Sequence, residues 1–229
     1  GGTVWGPVKT FVPANTLLNK YTIPNLALWL DASDVNGDGA TDSLLSGGPS
    51  TDGSAISAWI DKSVGTRTVS QSSSGNQPTF KTNAFGSKPG IRFDGTDDFF
   101  NVGPVRTSAG AYSIYVMATR PAANMGDSDA YLIDEAGWNL SAGSGNGAFD
   151  AKVFDQQAAS GATIMRIKVG KSASSSNNDF GGDIAEILVF DRQLSDTEDK
   201  QVEGYLAHRW GATDSLSSNH PYKDLPPIF

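Results

Sequence analysis

Short runs of residues that are apolar throughout, or apolar at every second position, are separated by clusters of Gly, Ser, Asn and Pro. This pattern restricts the possible fold more than any other feature. Short runs bounded by turn residues are typical of β-strands. The 26 Gly and 11 Pro among 229 residues supply the turns that many short strands require. The sequence therefore predicts an all-β fold.

Strand-like runs occur in ten places along the chain. The runs Tyr112–Arg120 and Asp183–Phe190 are apolar almost throughout, which places them near the middle of the sheets. Together the runs predict a large antiparallel sandwich of two sheets. They cover residues 26–30, 56–59, 90–94, 99–102, 112–120, 131–134, 137–142, 151–154, 165–169 and 183–190.

One segment near the end of the chain predicts a helix. Ser195 and Glu198 have the spacing of a capping box, in which each residue hydrogen-bonds the other's backbone N–H, and Leu194 precedes them as an apolar staple. Gly211 is placed where a helix would stop. An apolar stripe at three-to-four spacing indicates that the helix docks on the sandwich; it consists of Val202, Tyr205, Leu206 and Trp210.

The chain is expected to divide into three parts. Residues 1–13 predict one strand, either an edge strand of the sandwich or the last strand of a preceding fibronectin-III-like domain, which they resemble. Residues 14–25 are predicted to be a linker, and residues 26–229 are predicted to be the β-sandwich domain. The chain opens with Gly rather than Met and has no signal peptide, so we expect a piece of a larger protein with neighbouring domains.

Charge and cysteine content exclude several classes of function. A net charge of −8 and a pI near 4.6 oppose binding to nucleic acid and to anionic membrane surfaces. No apolar stretch approaches the roughly 20 residues of a membrane span, so no membrane insertion is expected. The absence of Cys excludes disulfides, thiol nucleophiles and thiolate zinc sites.

A loop after the first predicted strand has the oxygen spacing of a calcium site. Its candidate ligands are Asp34, Asn36, Asp38 and Asp42 at positions 1, 3, 5 and 9, with the carbonyl of Ala40 at position 7. Position 12, where an EF-hand carries Glu, is Leu45, so Asp31 is a further candidate ligand. The alternative is an ordinary hairpin turn at the N-G-D-G sequence.

The remaining acidic residues do not predict an active site. Residues 94–98 and Asp179 are explained as turn carboxylates or as further oxygens for an ion. Glycoside hydrolases on a sandwich need paired acids on one sheet face, whereas Asp183 and Glu186 are three residues apart and are predicted to point to opposite faces. His208 and His220 lie outside the predicted strands. No catalytic residue is predicted, and the chain is not expected to be an enzyme.

Five sequence segments within residues 26–226 resemble a known family. They are LALWLDASDVNGDG, ISAWIDKSVG, QPTFKTNAFGSKPGIRFDGTDDFF, GGDIAEILVFDRQLSDTEDKQVEGYLAHRWG and NHPYKDLPP. In order and spacing they resemble concanavalin-A-like, laminin-G-like domains of large secreted or surface proteins, and of some viral structural proteins. The resemblance implies a two-sheet jelly roll in a secreted or cell-surface setting, often with bound calcium and sometimes with bound glycan. Residues 121–180 depart from the family pattern, so no glycan-contact residue is carried over.

Tryptophan is the residue most suited to stack on a sugar ring. Trp29, Trp59 and Trp210 are expected in the core, whereas Trp138, beside the Gly-rich turn at 143–147, is the candidate ligand contact, with Tyr131, Asp134 and Asn139 nearby. The expected function is an extracellular, calcium-dependent binding or adhesion module that recognises glycan or surface polysaccharide. The alternative is a structural spacer or protein-contact domain of a modular surface or viral appendage protein.

Overall fold

The computed structural model describes residues 22–39, 41–42, 51–105, 109–120, 129–135, 138–144, 149–158, 168–171 and 179–228. The strand expected in residues 1–13 and most of the expected linker lie outside these residues. Of the linker, residues 22–25 form a turn in which Ile23 is buried, and the first strand begins directly afterwards.

The first of two antiparallel sheets holds the two most apolar strands, as expected. Its strands are β1 (Leu26–Asp31), β4 (Thr79–Phe85), β5 (Lys88–Asp94), β7 (Tyr112–Arg120), β10 (Phe149–Ala158) and β12 (Gly181–Phe190). The order is β10-β7-β12-β5-β4, and β1 also pairs with β12. All ten residues of β12 are buried, because strands flank it on both sides and layers cover both of its faces.

The second sheet contains shorter strands and faces the first across the core. Its strands, in spatial order, are β2 (Ala58–Ile60), β3 (Thr68–Ser70), β6 (Phe100–Asn101), β11 (Lys168–Val169), β8 (Asp129–Glu135) and β9 (Trp138–Ser144). Aromatic rings link the two sheets: the Phe93 ring of β5 lies 6.1 Å from that of Phe100 in β6, between centroids, and within the second sheet Phe100 lies 6.2 Å from Trp59. The predicted two-sheet sandwich is confirmed.

The predicted helix, α1 (Asp196–Trp210), is also confirmed. Glu198 N–H donates to Ser195 Oγ, the Glu198 carboxylate accepts from the Ser195 N–H, and Gly211 ends the helix at a φ of 75°. The predicted apolar stripe is buried against the outer face of the first sheet. No helix among the described residues is long and apolar enough to cross a membrane.

Candidate functional site

The loop that follows β1 has the sharp turns needed to wrap around an ion. Gly37 and Gly39 have φ angles of 70° and 87°, which residues with a side chain adopt at a cost. A Cβ on Gly37 would also lie 2.7 Å from a methyl carbon of Ile60, so the loop is held tightly against β2. The Asp42 N–H donates to Ser33 O at 2.9 Å and closes the loop at its far end.

Asp34 lies at the centre of this loop. It is 3% exposed, and its Oδ1 atom is buried with no hydrogen-bond donor. Its Oδ2 atom accepts from the Gly39 N–H at 3.1 Å and lies 2.9 Å from Lys62 Nζ. A buried carboxylate oxygen without a donor is costly, and a bound cation would satisfy it.

Three other predicted ligands, Asn36, Asp38 and Asp42, lie in the same loop as Asp34. Asp42 is buried and accepts a hydrogen bond from the Val35 N–H. Burial raises the pKa of Asp42, and the charges of Asp34 and Asp38 raise it further. Asn36 and Asp38 are hydrogen-bonded to each other at the exposed edge of the loop. The structure therefore places three carboxylates in one short loop, where Asp34 and Asp38 both repel the charge of Asp42, but their oxygens do not all lie within 4.8 Å of one another.

The two remaining predicted ligands are Ala40 and Asp31. Ala40 lies outside the described residues. Asp31 is fully buried, and both of its oxygens already accept from neighbours: Oδ1 from Ser33, Oδ2 from Lys62 and Arg209. Burial acts to raise the pKa of Asp31, but the charges of Arg209 and Lys62 hold it below its usual value. Asp31 therefore belongs to an ion-pair network behind the loop.

That network continues to Glu186 of β12, which is fully buried. Its Oε1 accepts from Trp29 Nε1 at 2.7 Å and from the Tyr205 hydroxyl at 2.9 Å, and its Oε2 accepts from Trp210 Nε1 at 2.7 Å. Arg209 Nε lies 3.4 Å from the same Oε2. Burial raises the pKa of Glu186 despite this neighbouring positive charge. The carboxylate ties β1, β12 and the helix together.

The expectation that Asp183 and Glu186 point to opposite faces is wrong. Ile184 pairs with Ala118 and Glu186 with Met117, so Ala185 is the extra residue of a β-bulge. The bulge brings both acids to the helix-bearing face of the sheet. Asp183 is 1% exposed and bound through both oxygens to Arg92, while the donors described above surround Glu186. Neither acid opens onto a surface where a saccharide could lie.

A second acidic group forms the turn between β5 and β6. The carboxylates of Asp94, Asp97 and Asp98 have oxygens within 4.8 Å of one another. Asp98 is 7% exposed, and burial, followed by the charge of Asp94, raises its pKa to about 6. Its Oδ2 accepts from the Asp94 N–H at 3.0 Å. The group forms a turn of carboxylates that could still hold an ion, so both explanations offered by the sequence remain open, and Asp98 is not solvated.

Two adjoining clefts lie between β10 and the segment after the helix, a surface that the sequence does not predict. The first has a volume of about 210 Å³ and the second of about 450 Å³, and both include Ser215. The first is lined by Val153, Asp155, Lys200, Glu203, Ser215, Leu216, Ser217 and His220. The second is lined by Asp150, Ala151, Lys152, Gly211, Ala212, Asp214 and Ser215.

The first cleft carries a network of charged groups. The oxygens of Asp155, Asp199 and Glu203 lie within 4.8 Å of one another, and burial followed by the charges of its two neighbours raises the pKa of Asp155. Lys200 Nζ lies 2.8 Å from Glu203 and 3.1 Å from Asp199, and His220 Nε2 lies 2.9 Å from Glu203. The surface offers donors and acceptors to a polar ligand.

The predicted ligand contacts lie together on the hairpin of β8 and β9. Asp134 pairs with Asn139, Glu135 pairs with Trp138, and Tyr131 pairs with Ser141. The side chains of Trp138, Asn139, Tyr131 and Asp134 lie outside the described residues. Trp29, Trp59 and Trp210 are buried, as the sequence predicts.

Comparison with known proteins assigns no family. No protein-family model matches the chain, and no curated protein matches it. Among solved structures, the chain is weakly similar to an exo-β-1,3-galactanase from Phanerochaete chrysosporium in complex with β-1,3-galactotriose, with 13% identity and a TM-score of 0.31. The match covers 49% of this chain and only 26% of the galactanase chain. A similarity this weak supports no conclusion about fold or activity. Of the resemblance to concanavalin-A-like domains, the structure confirms the two-sheet sandwich.

Proposed function

We propose that the chain is a calcium-binding module of an extracellular protein and that it binds glycan. The observation that carries the calcium site is the buried Oδ1 atom of Asp34, which has no donor. Calcium prefers carboxylate and carbonyl oxygens in a flexible shell of six to eight ligands. In this proposal Asp34, Asn36, Asp38 and Asp42 provide side-chain oxygens, Ala40 provides its carbonyl, and water completes the shell.

Three features of the loop support this assignment over an ordinary turn. A solvated hairpin turn would leave its carboxylates in water, whereas Asp34 and Asp42 are both buried. The repulsion that Asp34 and Asp38 exert on the charge of Asp42 is the kind that a divalent cation relieves. The positive φ angles of Gly37 and Gly39 allow the backbone to curve around a central point.

Glycan is the proposed ligand class, in keeping with the resemblance to concanavalin-A-like domains. The two clefts beside β10 offer hydroxyl, carboxylate, ammonium and imidazole groups, which suit the hydroxyls of a saccharide. Trp138, the aromatic residue that the sequence predicts as a ligand contact, belongs to the hairpin of β8 and β9. These are two separate surfaces, and substitutions can test them independently.

A glycan array run with calcium and with chelator tests the proposal. We expect hits that weaken in chelator. Asp155→Asn with Ser217→Ala would reduce binding through the cleft, and Asn139→Ala would reduce binding through the hairpin, so the pair of variants locates the surface. An array without hits from a folded, calcium-loaded protein would contradict glycan binding and favour the spacer or protein-contact alternative.

A further inference from the structure

Lys62 is placed between the proposed calcium site and the ion-pair network behind it. Its Nζ atom lies 2.9 Å from Asp34 Oδ2 and 2.9 Å from Asp31 Oδ2. The same atom lies 4.8 Å from the ring centroid of Trp29. The lysine side chain is 19% exposed, so these contacts replace most of its hydration.

The ammonium group of Lys62 and a bound calcium ion would compete for the carboxylate of Asp34. A calcium ion bound through Asp34 would lie within a few ångströms of this oxygen pair, because calcium–oxygen distances are about 2.3–2.6 Å. A single carboxylate in a buried setting cannot hold a divalent cation and an ammonium without strong repulsion between them. With calcium on Oδ1 and the ammonium on Oδ2, this repulsion favours a Lys62 side chain that has withdrawn from Asp34.

The structure also provides Lys62 with a second place to bind. Asp31 is fully buried and accepts from Lys62 through the same Oδ2 that accepts from Arg209. The Trp29 ring offers an additional cation–π contact. A small movement of the ammonium group away from the loop would keep both of these contacts and release Asp34.

We propose that Lys62 is an internal counter-ion that competes with calcium for Asp34, and so weakens calcium binding while it stabilises the loop at low calcium. This inference rests on the proposed calcium site. A calcium-binding loop without such a competitor would retain the whole attraction of its three carboxylates. With Lys62 present, displacement of the lysine offsets part of that attraction, which suits the weak sites of extracellular modules, where Kd is about 10⁻⁴ to 10⁻³ M.

Calorimetric titration of calcium into wild type and Lys62→Gln tests the inference. We expect the Kd of Lys62→Gln to be lower by a factor of about 5 to 150, the usual range of coupling between two ligands. In chelator the same variant should melt at a lower temperature than wild type, because Asp34 loses its ion pair and Asp31 loses one of its two cations. The matched control is Lys81→Gln, whose ion pair with exposed Asp52 shares no described hydrogen bond or ion pair with the loop and should leave calcium affinity unchanged.

The two opposite effects distinguish competition from general damage, which would weaken both calcium binding and stability. If wild type binds calcium and Lys62→Gln binds it equally or less tightly, the competition is refuted and the calcium site stands. If neither protein binds calcium, the proposed site itself fails. Should Lys62→Gln not fold, NMR of reductively ¹³C-methylated wild type serves instead: calcium must shift the Lys62 signal and not the Lys81 signal, and an unmoved Lys62 signal refutes the competition.

Discussion

Arg209, in the last turn of the helix, donates from Nη2 to Oδ2 of Asp31 in the first strand at 2.7 Å, although 178 residues separate the two in sequence. The same guanidinium lies 3.4 Å from Glu186. One cation thus compensates two buried carboxylates on two neighbouring strands. Burial lowers the pKa of Arg209, but the charges of Glu186 and Asp31 outweigh burial and raise it.

Arg209→Met should destabilise the fold by about 3 to 5 kcal/mol, because it leaves two buried carboxylates without their shared cation. The measurement is the free energy of unfolding in urea. The matched control is Arg192→Met, which removes a partly exposed pair with Glu198 and should cost about 1 kcal/mol or less. Similar losses in the two variants would contradict the central role of Arg209.

The helix should be an integral part of the domain rather than a removable tail. A chain that ends at Arg192 would expose the sheet face on which Val202, Tyr205, Leu206 and Trp210 pack, and would leave Glu186 without two of its donors. We expect such a chain to aggregate or to lose its cooperative unfolding transition. A soluble chain of this length with a cooperative thermal transition would show the expectation to be wrong.

The helix and the two most apolar strands can be predicted from sequence because their signals are local. The capping box at Ser195 and the stop at Gly211 lie within a few residues of the helix ends. The sequence does not predict strands β3 and β4, because β3 has only three residues and the outward side chains of β4 are polar, as Lys81 and Asn83 illustrate. Their strand structure comes from pairing with neighbours rather than from a run of apolar residues.

The candidate site is predictable only in part. The spacing from Asp34 to Asp42 is local, but the role of Lys62 depends on its contact with Asp31, 31 residues earlier, and no local pattern marks such a pairing. The bulge at Ala185 leaves no mark in an apolar run, so the prediction for the relative direction of Asp183 and Glu186 is wrong. The clefts beside β10 form between that strand and segments far from it in sequence, which no motif records.

The turn after β5 should give the fold a pH dependence. Asp98 has a folded-state pKa of about 6 against 3.8 for an unperturbed carboxyl, so the folded state binds more protons between these values. Its contribution therefore makes the protein more stable as the pH falls from about 7 to about 4. Asp98→Asn should raise the free energy of unfolding at pH 7 by about 1 to 3 kcal/mol and remove this dependence.

Urea unfolding between about pH 4 and pH 7.5, in chelator, measures this effect. Asp214→Asn, a substitution at an exposed acid, provides the control and should change neither the stability nor its slope with pH. An Asp98→Asn protein that is less stable than wild type at pH 7 would mean that the ionised Asp98 is favoured in the folded state.

We expect no hydrolysis of polysaccharides. The acids of β12 are enclosed, and in the first cleft Lys200 pairs with Asp199 and Glu203 while His220 pairs with Glu203, which leaves Asp155 without a second uncommitted acid beside it in the described residues. Incubation with β-glucans, alginates and sulfated galactans, followed by reducing-end and unsaturated-product assays, should give no product. Product that disappears in Glu186→Gln or Asp155→Asn would overturn this expectation.

The central claim is that one calcium ion binds through Asp34, and calorimetric titration of calcium into the chelator-treated protein tests it most directly. We expect about one site with a Kd of about 10⁻⁴ to 10⁻³ M, and a higher melting temperature in calcium, because only the folded loop binds the ion. Asp34→Asn and Asp38→Ala should each abolish most of the binding heat, and Asp224→Asn, at an exposed acid of the C-terminal segment, should bind like wild type. An absence of binding heat and an unchanged melting temperature in wild type at about 10 mM calcium, roughly ten times the weakest expected Kd, or binding that survives in Asp34→Asn, would contradict the claim.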